Sequence, residues 1–198
     1  MEAKKGGIRV RDGVYPPSED THLLLRNLRE GAGIALEIGT GSGIIAIELA
    51  GKGWWVIATD INMKALRNAL DNARHLDLKE RIQLIAADLF GFLRRGVEFD
   101  LLVFNPPYVP ESNQMGGVED LSWYGGPTGR STIDRFLEEL KDLDVNAHEL
   151  LLVQSTLSEA ERTSRELEER GFKVEFIDST RSFFEEIILI RAEKSRGP

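Results

Sequence analysis

The chain has 198 residues, 41% of them hydrophobic, and 33 acidic against 25 basic side chains give it a formal net charge of −8 with no cysteine at all. That length and apolar content predict one domain with a substantial core, and the missing cysteines exclude disulfides and thiolate metal sites. The acidic balance weighs against a nucleic-acid substrate, whose phosphates call for a basic surface.

An amino-terminal arm is expected over 1–17. Its basic run Lys4, Lys5, Arg9 and Arg11 and a second pair, Arg94-Arg95, read as solvated charges. A helix follows over 18–29, with Ser18 as its cap and Thr21 in the first turn. Residues 34–38 are a short apolar strand. They lead into Gly39-Thr40-Gly41-Ser42-Gly43 and then into a helix over 42–51 with good helix formers. Strand, glycine turn and helix together make a nucleotide-type cofactor loop, where missing Cβ atoms let backbone approach a ligand. Ile44 stands where a dinucleotide fingerprint needs its third glycine, and Thr40 stands where a serine nucleophile elbow needs its first.

A strand over 54–59 ends in Asp60, placed to accept both ribose hydroxyls of a nucleoside or to cap the next helix. Asn62 could take the capping task instead. The helix spans 62–75, and a strand over 82–87 ends in Asp88-Leu89, suited to an adenine amino group and ring. The strand over 99–104 runs into Asn105-Pro106-Pro107-Tyr108. Two prolines forbid helix and ladder bonding, so this segment is rigid at the carboxyl end of its strand, where open α/β sheets bind ligands. An amide, stiff backbone and an aromatic ring suit capture of a planar NH2 group; a plain strand-ending turn is the alternative. A helix near 130–142, a strand over 149–154, a helix over 157–170 and strands near 172–178 and 184–191 complete the alternation, with a frayed tail over 192–198. The pattern predicts a mostly parallel, doubly wound α/β sheet. His22, His75 and His148 lack metal-site spacing.

The spacing Glu37-x-Gly39-x-Gly41-x-Gly43 resembles motif I of the S-adenosylmethionine-dependent methyltransferases. Together with Tyr15-Pro16-Pro17-Ser18-Glu19-Asp20-Thr21, Thr59-Asp60-Ile61-Asn62 and Asn105-Pro106-Pro107-Tyr108-Val109, it makes the chain similar to the HemK family. These are glutamine-N5 methyltransferases that modify translation release factors, and the likeness covers essentially their whole catalytic domain. The first segment, followed by Leu23-Leu24-Leu25, resembles the archaeal and eukaryotic branch. So does Trp123-Tyr124-Gly125-Gly126-Pro127-Thr128-Gly129-Arg130 leading into Ile133-Asp134-Arg135-Phe136. Bacterial relatives carry a further amino-terminal helical domain, for which a motif block starting at Tyr15 leaves no room.

The resemblance implies a Rossmann-like class I methyltransferase domain over 1–198. Its seven-stranded sheet has order 3-2-1-4-5-7-6, the last strand antiparallel and helices on both faces. It implies S-adenosylmethionine as cofactor, held by Thr21, Glu37, Gly39, Thr40, Gly41, Gly43, Asp60, Ile61, Asp88, Leu89 and Asn105, and no metal. Catalysis falls to Asn105, Pro106 and Tyr108. Asn105, Pro106, Pro107 and Tyr108 hold the substrate glutamine of a release-factor Gly-Gly-Gln loop. Adenine-N6 methylation, protein lysine methylation and a non-catalytic cofactor-binding subunit are the competing readings.

The stretch between Val109 and Gly129 exceeds ordinary loop length. Trp123 and Tyr124, with Gly116-Gly117 and Gly125-Gly126 as hinges, read as a lid over the substrate. The edge strand over 82–87 carries neither lysine nor proline to guard it. There the resemblance implies a small zinc-binding activator subunit, with homodimerisation the alternative. No apolar run approaches the ~18 residues of a membrane span, and no apolar segment follows the charged amino terminus. A cytoplasmic enzyme is therefore expected.

Overall fold

A computed structural model of the chain describes residues 7–109, 125–182 and 185–194, without the Ser182 side chain. Seven strands, β1 (Ile34–Ile38), β2 (Trp55–Asp60), β3 (Ile82–Ala86), β4 (Glu98–Phe104), β5 (Asn146–Ser155), β6 (Lys173–Ser182) and β7 (Glu185–Glu193), form one sheet of order β3-β2-β1-β4-β5-β7-β6. β1 to β5 run parallel, and β7 is antiparallel to both neighbours. This is the order and sense implied by the family resemblance. Consecutive burial along β1, β4 and β5 means that both faces of the central sheet are covered, as parallel strands require.

Helices α1 (Glu19–Leu25), α2 (Ile44–Gly51) and α3 (Met63–His75) pack on one another in succession. α4 (Ser131–Asp142) brings Phe136 against Phe104 of β4, ring centroids 4.9 Å apart, and against Phe90 at 5.3 Å. α5 (Ala160–Glu168) packs against β6.

Several boundaries differ from the sequence reading, four of them instructively. α1 ends at Leu25, not near 29, because side chains just beyond it bond across the fold. Arg26 Nε and Asn27 Nδ2 donate to Asp178 Oδ2 on β6 at 2.7 and 2.6 Å. The expected helix over 157–170 splits into a 3-10 turn, Thr156–Ser158, and α5, separated by Glu159 with a left-handed φ of 58°. β6 extends to Ser182 with an irregularity between Phe176 and Asp178, since pairing with β7 continues past the turn signals. The tail is not free from 192. Ala192 is fully buried and pairs with Leu150 in the ladder, and the Lys194 N–H donates to the His148 carbonyl. Residues 195–198 lie outside the described residues.

The described part of the amino-terminal arm is seated on α3. Two asparagines one turn apart, Asn68 and Asn72, are buried. Their Oδ1 atoms accept from the backbone N–H groups of Arg11 and Arg9 at 2.8 and 3.1 Å, and both amide nitrogens donate to the Arg9 carbonyl at 2.8 Å. Each amide nitrogen also reaches the Ser42 carbonyl in the glycine turn. The pair thus satisfies the polar groups of arm and turn at once, as buried amides must. It also carries the arm onward to place Tyr15 beside Gly41 of the glycine turn.

Candidate active site

The strand order reverses between β1 and β4, the switch point at which open α/β sheets admit ligands. A cleft of about 600 Å3 opens there at the carboxyl ends of β1 to β4. Glu37, Asp60, Asp88 and Asn105, each at the end of its strand, all line it, so the four polar strand ends of the sequence do share one site.

The glycine turn is clasped from two sides. The Thr40 N–H donates to the Thr59 carbonyl at 2.8 Å and the Gly41 N–H donates to Asp60 Oδ2 at 2.9 Å. Asp60 Oδ1 accepts from the Asn62 N–H at 2.8 Å, while the Asn62 side chain accepts from the Lys64 N–H at 2.9 Å. Asn62 is therefore the cap of α3, and Asp60 is left facing the cleft with its pKa raised by burial.

A Cβ on Gly39 or Gly41 would meet nothing closer than 3.9 Å, so it is their left-handed φ of +71° and +54°, not crowding, that calls for glycine. Gly43 differs. A Cβ there would come within 2.7 Å of Ala69 Cβ, its φ is +85°, and it does not line the cleft. It serves the close packing of α2 on α3. Ile61, 74% exposed, and Leu89, buried with φ 43°, supply the apolar surfaces of the outer cleft. Asp88, expected to meet an adenine amino group, bonds through Oδ2 to Arg135 Nη2 on α4 at 2.8 Å.

Glu37 is buried beneath the turn and accepts from Thr40 Oγ1 at 2.7 Å. Burial, opposed by that hydrogen bond, pushes its carboxyl up to about 8. Between the ordinary carboxylate value and about 8, the native state holds a proton that the unfolded chain has lost. Stability therefore declines as pH rises through that window and levels off above it. Glu37→Gln keeps an acceptor for Thr40 and removes the titration. It should match wild type near pH 4 and exceed it by a few kcal/mol at pH 9, each pKa unit being worth about 1.4 kcal/mol. Urea unfolding across that range reads the difference, and a gap that does not widen with pH refutes the assignment.

At the other end of the cleft, a buried carboxylate gathers the Asn105-Pro106-Pro107-Tyr108 segment. Asp20 Oδ2 accepts from Tyr15 Oη at 2.7 Å, Asn105 Nδ2 at 3.0 Å and Tyr108 Oη at 3.3 Å. Burial first, and then the charge of Asp20, raises both phenols above the ordinary tyrosine range, so they remain donors. Asn105 Oδ1 is shielded from water and has no hydrogen-bond partner among the described residues.

Gly129, with φ +73°, lies against the Tyr108 carbonyl, where any Cβ would collide. The Gly125 N–H donates to the Val109 carbonyl at 3.0 Å. The far stem of the expected lid is thus docked on the rigid segment; Gly116, Gly117, Trp123 and Tyr124 lie outside the described residues.

Thr21 lines the cleft, and its hydroxyl accepts from the Ser18 N–H at 3.3 Å. Thr40, Pro106 and Pro107 line the cleft as well. Sequence reasoning passed over Tyr15, Asp20 and Arg135. The first two stand in a quoted motif beside Thr21, and only the fold shows that the motif reaches Asn105 from 85 positions away.

The cleft suits a nucleoside cofactor. Bare glycine backbone borders it, Glu37 and Asp60 put carboxyl groups beside the turn, and apolar Ile61 and Leu89 offer ring contacts. Comparison with known proteins agrees. The methyltransferase small domain family matches residues 11–120. A protein named as an N5-glutamine methyltransferase in Methanocaldococcus jannaschii is 34% identical over 93% of this chain and 94% of its own length. The human methyltransferase HEMK2 is 42% identical over 66% of each chain.

A release factor glutamine methyltransferase of Moorella thermoacetica is 37% identical over 62% of this chain, which spans 47% of that protein. Among solved structures, Mtq2 of E. cuniculi, in a complex with Trm112 described as responsible for methylating the termination factor eRF1, superimposes with a TM-score of 0.73. It is 30% identical over 92% of this chain and 99% of that one. With the strand order, the glycine turn and the asparagine-diproline-tyrosine segment in place, the chain belongs to the methyltransferase small domain family, as a HemK-type protein-glutamine N5-methyltransferase.

Proposed function

We propose that this cleft methylates the side-chain amide nitrogen of a glutamine in the Gly-Gly-Gln loop of a class I translation release factor, with S-adenosylmethionine as donor. The observation that carries this reading is Asn105, a cleft-lining residue whose NH2 is spoken for by Asp20 and whose buried oxygen has no partner among the described residues. A buried acceptor without a donor costs about 1–3 kcal/mol, a cost offset when a ligand N–H arrives.

The bound cofactor supplies a methyl group already activated on a cationic sulfur. Glu37, Asp60 and the backbone of Gly39 and Gly41 would border its amino-acid and ribose portions. Ile61, Leu89 and Asp88 face its base. Asn105 Oδ1 and the Pro106 carbonyl each accept one hydrogen from the glutamine NH2, directing its lone pair at the methyl. Pro107 keeps that backbone rigid, and Tyr108 packs against the amide plane with its hydroxyl held by Asp20. Positioning of this kind suffices because the donor is activated and the nitrogen sheds its proton readily after transfer.

Mass spectrometry of a release factor co-expressed with this chain tests the reading. A gain of 14 Da, roughly one methyl, on the glutamine of the Gly-Gly-Gln loop is expected. An unmodified glutamine, or a methyl found instead on a lysine of that factor, would sink it.

The outer edge of β3 is the proposed seat of a small zinc-binding activator subunit, as Trm112 accompanies Mtq2. β3 ends the sheet, and its segment 82–86 has no guarding lysine or proline. Amides over 82–86 should become protected from hydrogen exchange in the complex; unchanged exchange there rejects the site. Among the described residues no helix is long and apolar enough to cross a membrane, and a translation-factor substrate makes the cytoplasm the proposed place of work.

A further inference from the structure

We infer that Asp20 is the positioning residue of the amide clamp, dictating which face of the Asn105 amide meets the acceptor nitrogen. The inference rests on the reading above that this acceptor is an amide NH2. Asp20 is buried and its two oxygens have different partners. Oδ1 accepts from the Thr21 N–H at 2.5 Å and from the Thr21 hydroxyl at 3.1 Å. Oδ2 accepts from Tyr15, Asn105 and Tyr108. A carboxylate only accepts, so every neighbour of Oδ2 must donate.

The phenols comply by turning their hydroxyls. Asn105 complies only by pointing its NH2 at Asp20, which sends Oδ1 the other way. A flipped amide would set two acceptors about 3.0 Å apart with no proton between them. The orientation that leaves Asn105 Oδ1 unpaired is therefore imposed from outside the asparagine-diproline-tyrosine segment, by a residue on α1.

The asymmetry of Asp20 makes a polarity swap predictable. In Asp20→Asn the Thr21 backbone N–H cannot rotate, so the new side-chain oxygen must take the Oδ1 place. Its NH2 then takes the Oδ2 place and faces Asn105. Asn105 must flip to present its oxygen, and the clamp offers the acceptor nitrogen a donor instead. In Asn105→Asp alone, two carboxylates face each other. In the double variant the amide introduced at position 20 donates to the carboxylate introduced at position 105, whose other oxygen again faces the acceptor.

The experiment measures kcat for wild type, D20N, N105D and D20N/N105D on a class I release factor with its activator. S-adenosylhomocysteine affinity is measured by calorimetry, and the Asn105 side-chain amide protons are followed by NMR. Each single variant should lose about 10²-fold or more in kcat, the scale of removing one oriented polar partner at a reacting centre. The double variant should recover to within about tenfold of wild type, with cofactor affinity maintained in all four. The Asn105 amide protons should exchange slowly in wild type and lose that protection in D20N. Wild-type turnover by D20N, or a double variant no faster than the slower single, overturns the inference. A wild-type enzyme that leaves the release factor unmodified defeats the functional reading instead, and protection of the Asn105 amide then still decides whether the lock exists.

Discussion

Replacing Asn105 with alanine should lower kcat by at least about 10²-fold while cofactor affinity stays within about threefold. Stability should be unchanged or improved. The activity loss follows from removing an acceptor that holds one hydrogen of the substrate NH2, a contact needed most as the nitrogen attacks. Loss confined to kcat marks an interaction made in the transition state. The stability half follows from what the alanine leaves behind. Asp20 keeps its bonds from Tyr15, Tyr108 and Thr21, and the unpaired Oδ1 disappears with the side chain. Removing an unsatisfied buried acceptor relieves about 1–3 kcal/mol, against the lost donor bond to Asp20. Such an exchange of stability for function is usual at active sites. Single-turnover kinetics with calorimetry and thermal melting check all three quantities, and a kcat within a factor of a few of wild type would refute the role of Asn105.

Arg130→Met should destabilise the fold by about 1–3 kcal/mol in urea, the scale of taking hydrogen-bond partners away from buried polar groups. The Arg130 side chain is 1% exposed. Its Nη1 donates to the Ser158 and Glu159 carbonyls and to Thr163 Oγ1, each at 2.9 Å, and its Nη2 donates to Asp134 at 2.9 Å. Methionine fills much of the volume but loses the fork that ties these groups together, although the Ser158 carbonyl keeps Gln154 Nε2 and the Glu159 carbonyl keeps the Arg162 N–H as donors. Arg130→Lys should rescue only part, because an ammonium cannot span partners that a planar guanidinium fork reaches together. The same network joins the start of α4 to the turn before α5, beneath the Gly129 contact with Tyr108. Cofactor affinity should persist under native conditions. A variant as stable as wild type would mean that water replaces the fork.

Much of this architecture was legible in residue order because its signals are local. Apolar runs at 34–38 and 99–104, each followed by polar or stiff residues, became β1 and β4 within one residue of expectation. The glycine turn and the asparagine-diproline-tyrosine segment were readable for the same reason: their chemistry is contiguous along the chain. Helix ends were less readable. α1 stops where Arg26 and Asn27 find Asp178, some 150 positions away, and no periodicity contains that partner.

The sequence by itself determined the strand-helix alternation, the glycine turn and the asparagine-diproline-tyrosine segment, since each is a short-range pattern of side-chain type. Tertiary structure alone decided that Asp60 clasps the turn while Asn62 caps α3, that Gly43 packs against Ala69 instead of lining the cleft, and that Asp20 orients Asn105. The physical reason is common to all three. Hydrogen bonding and close packing act over about 3–4 Å in space, and only folding brings residues far apart in the chain within that reach.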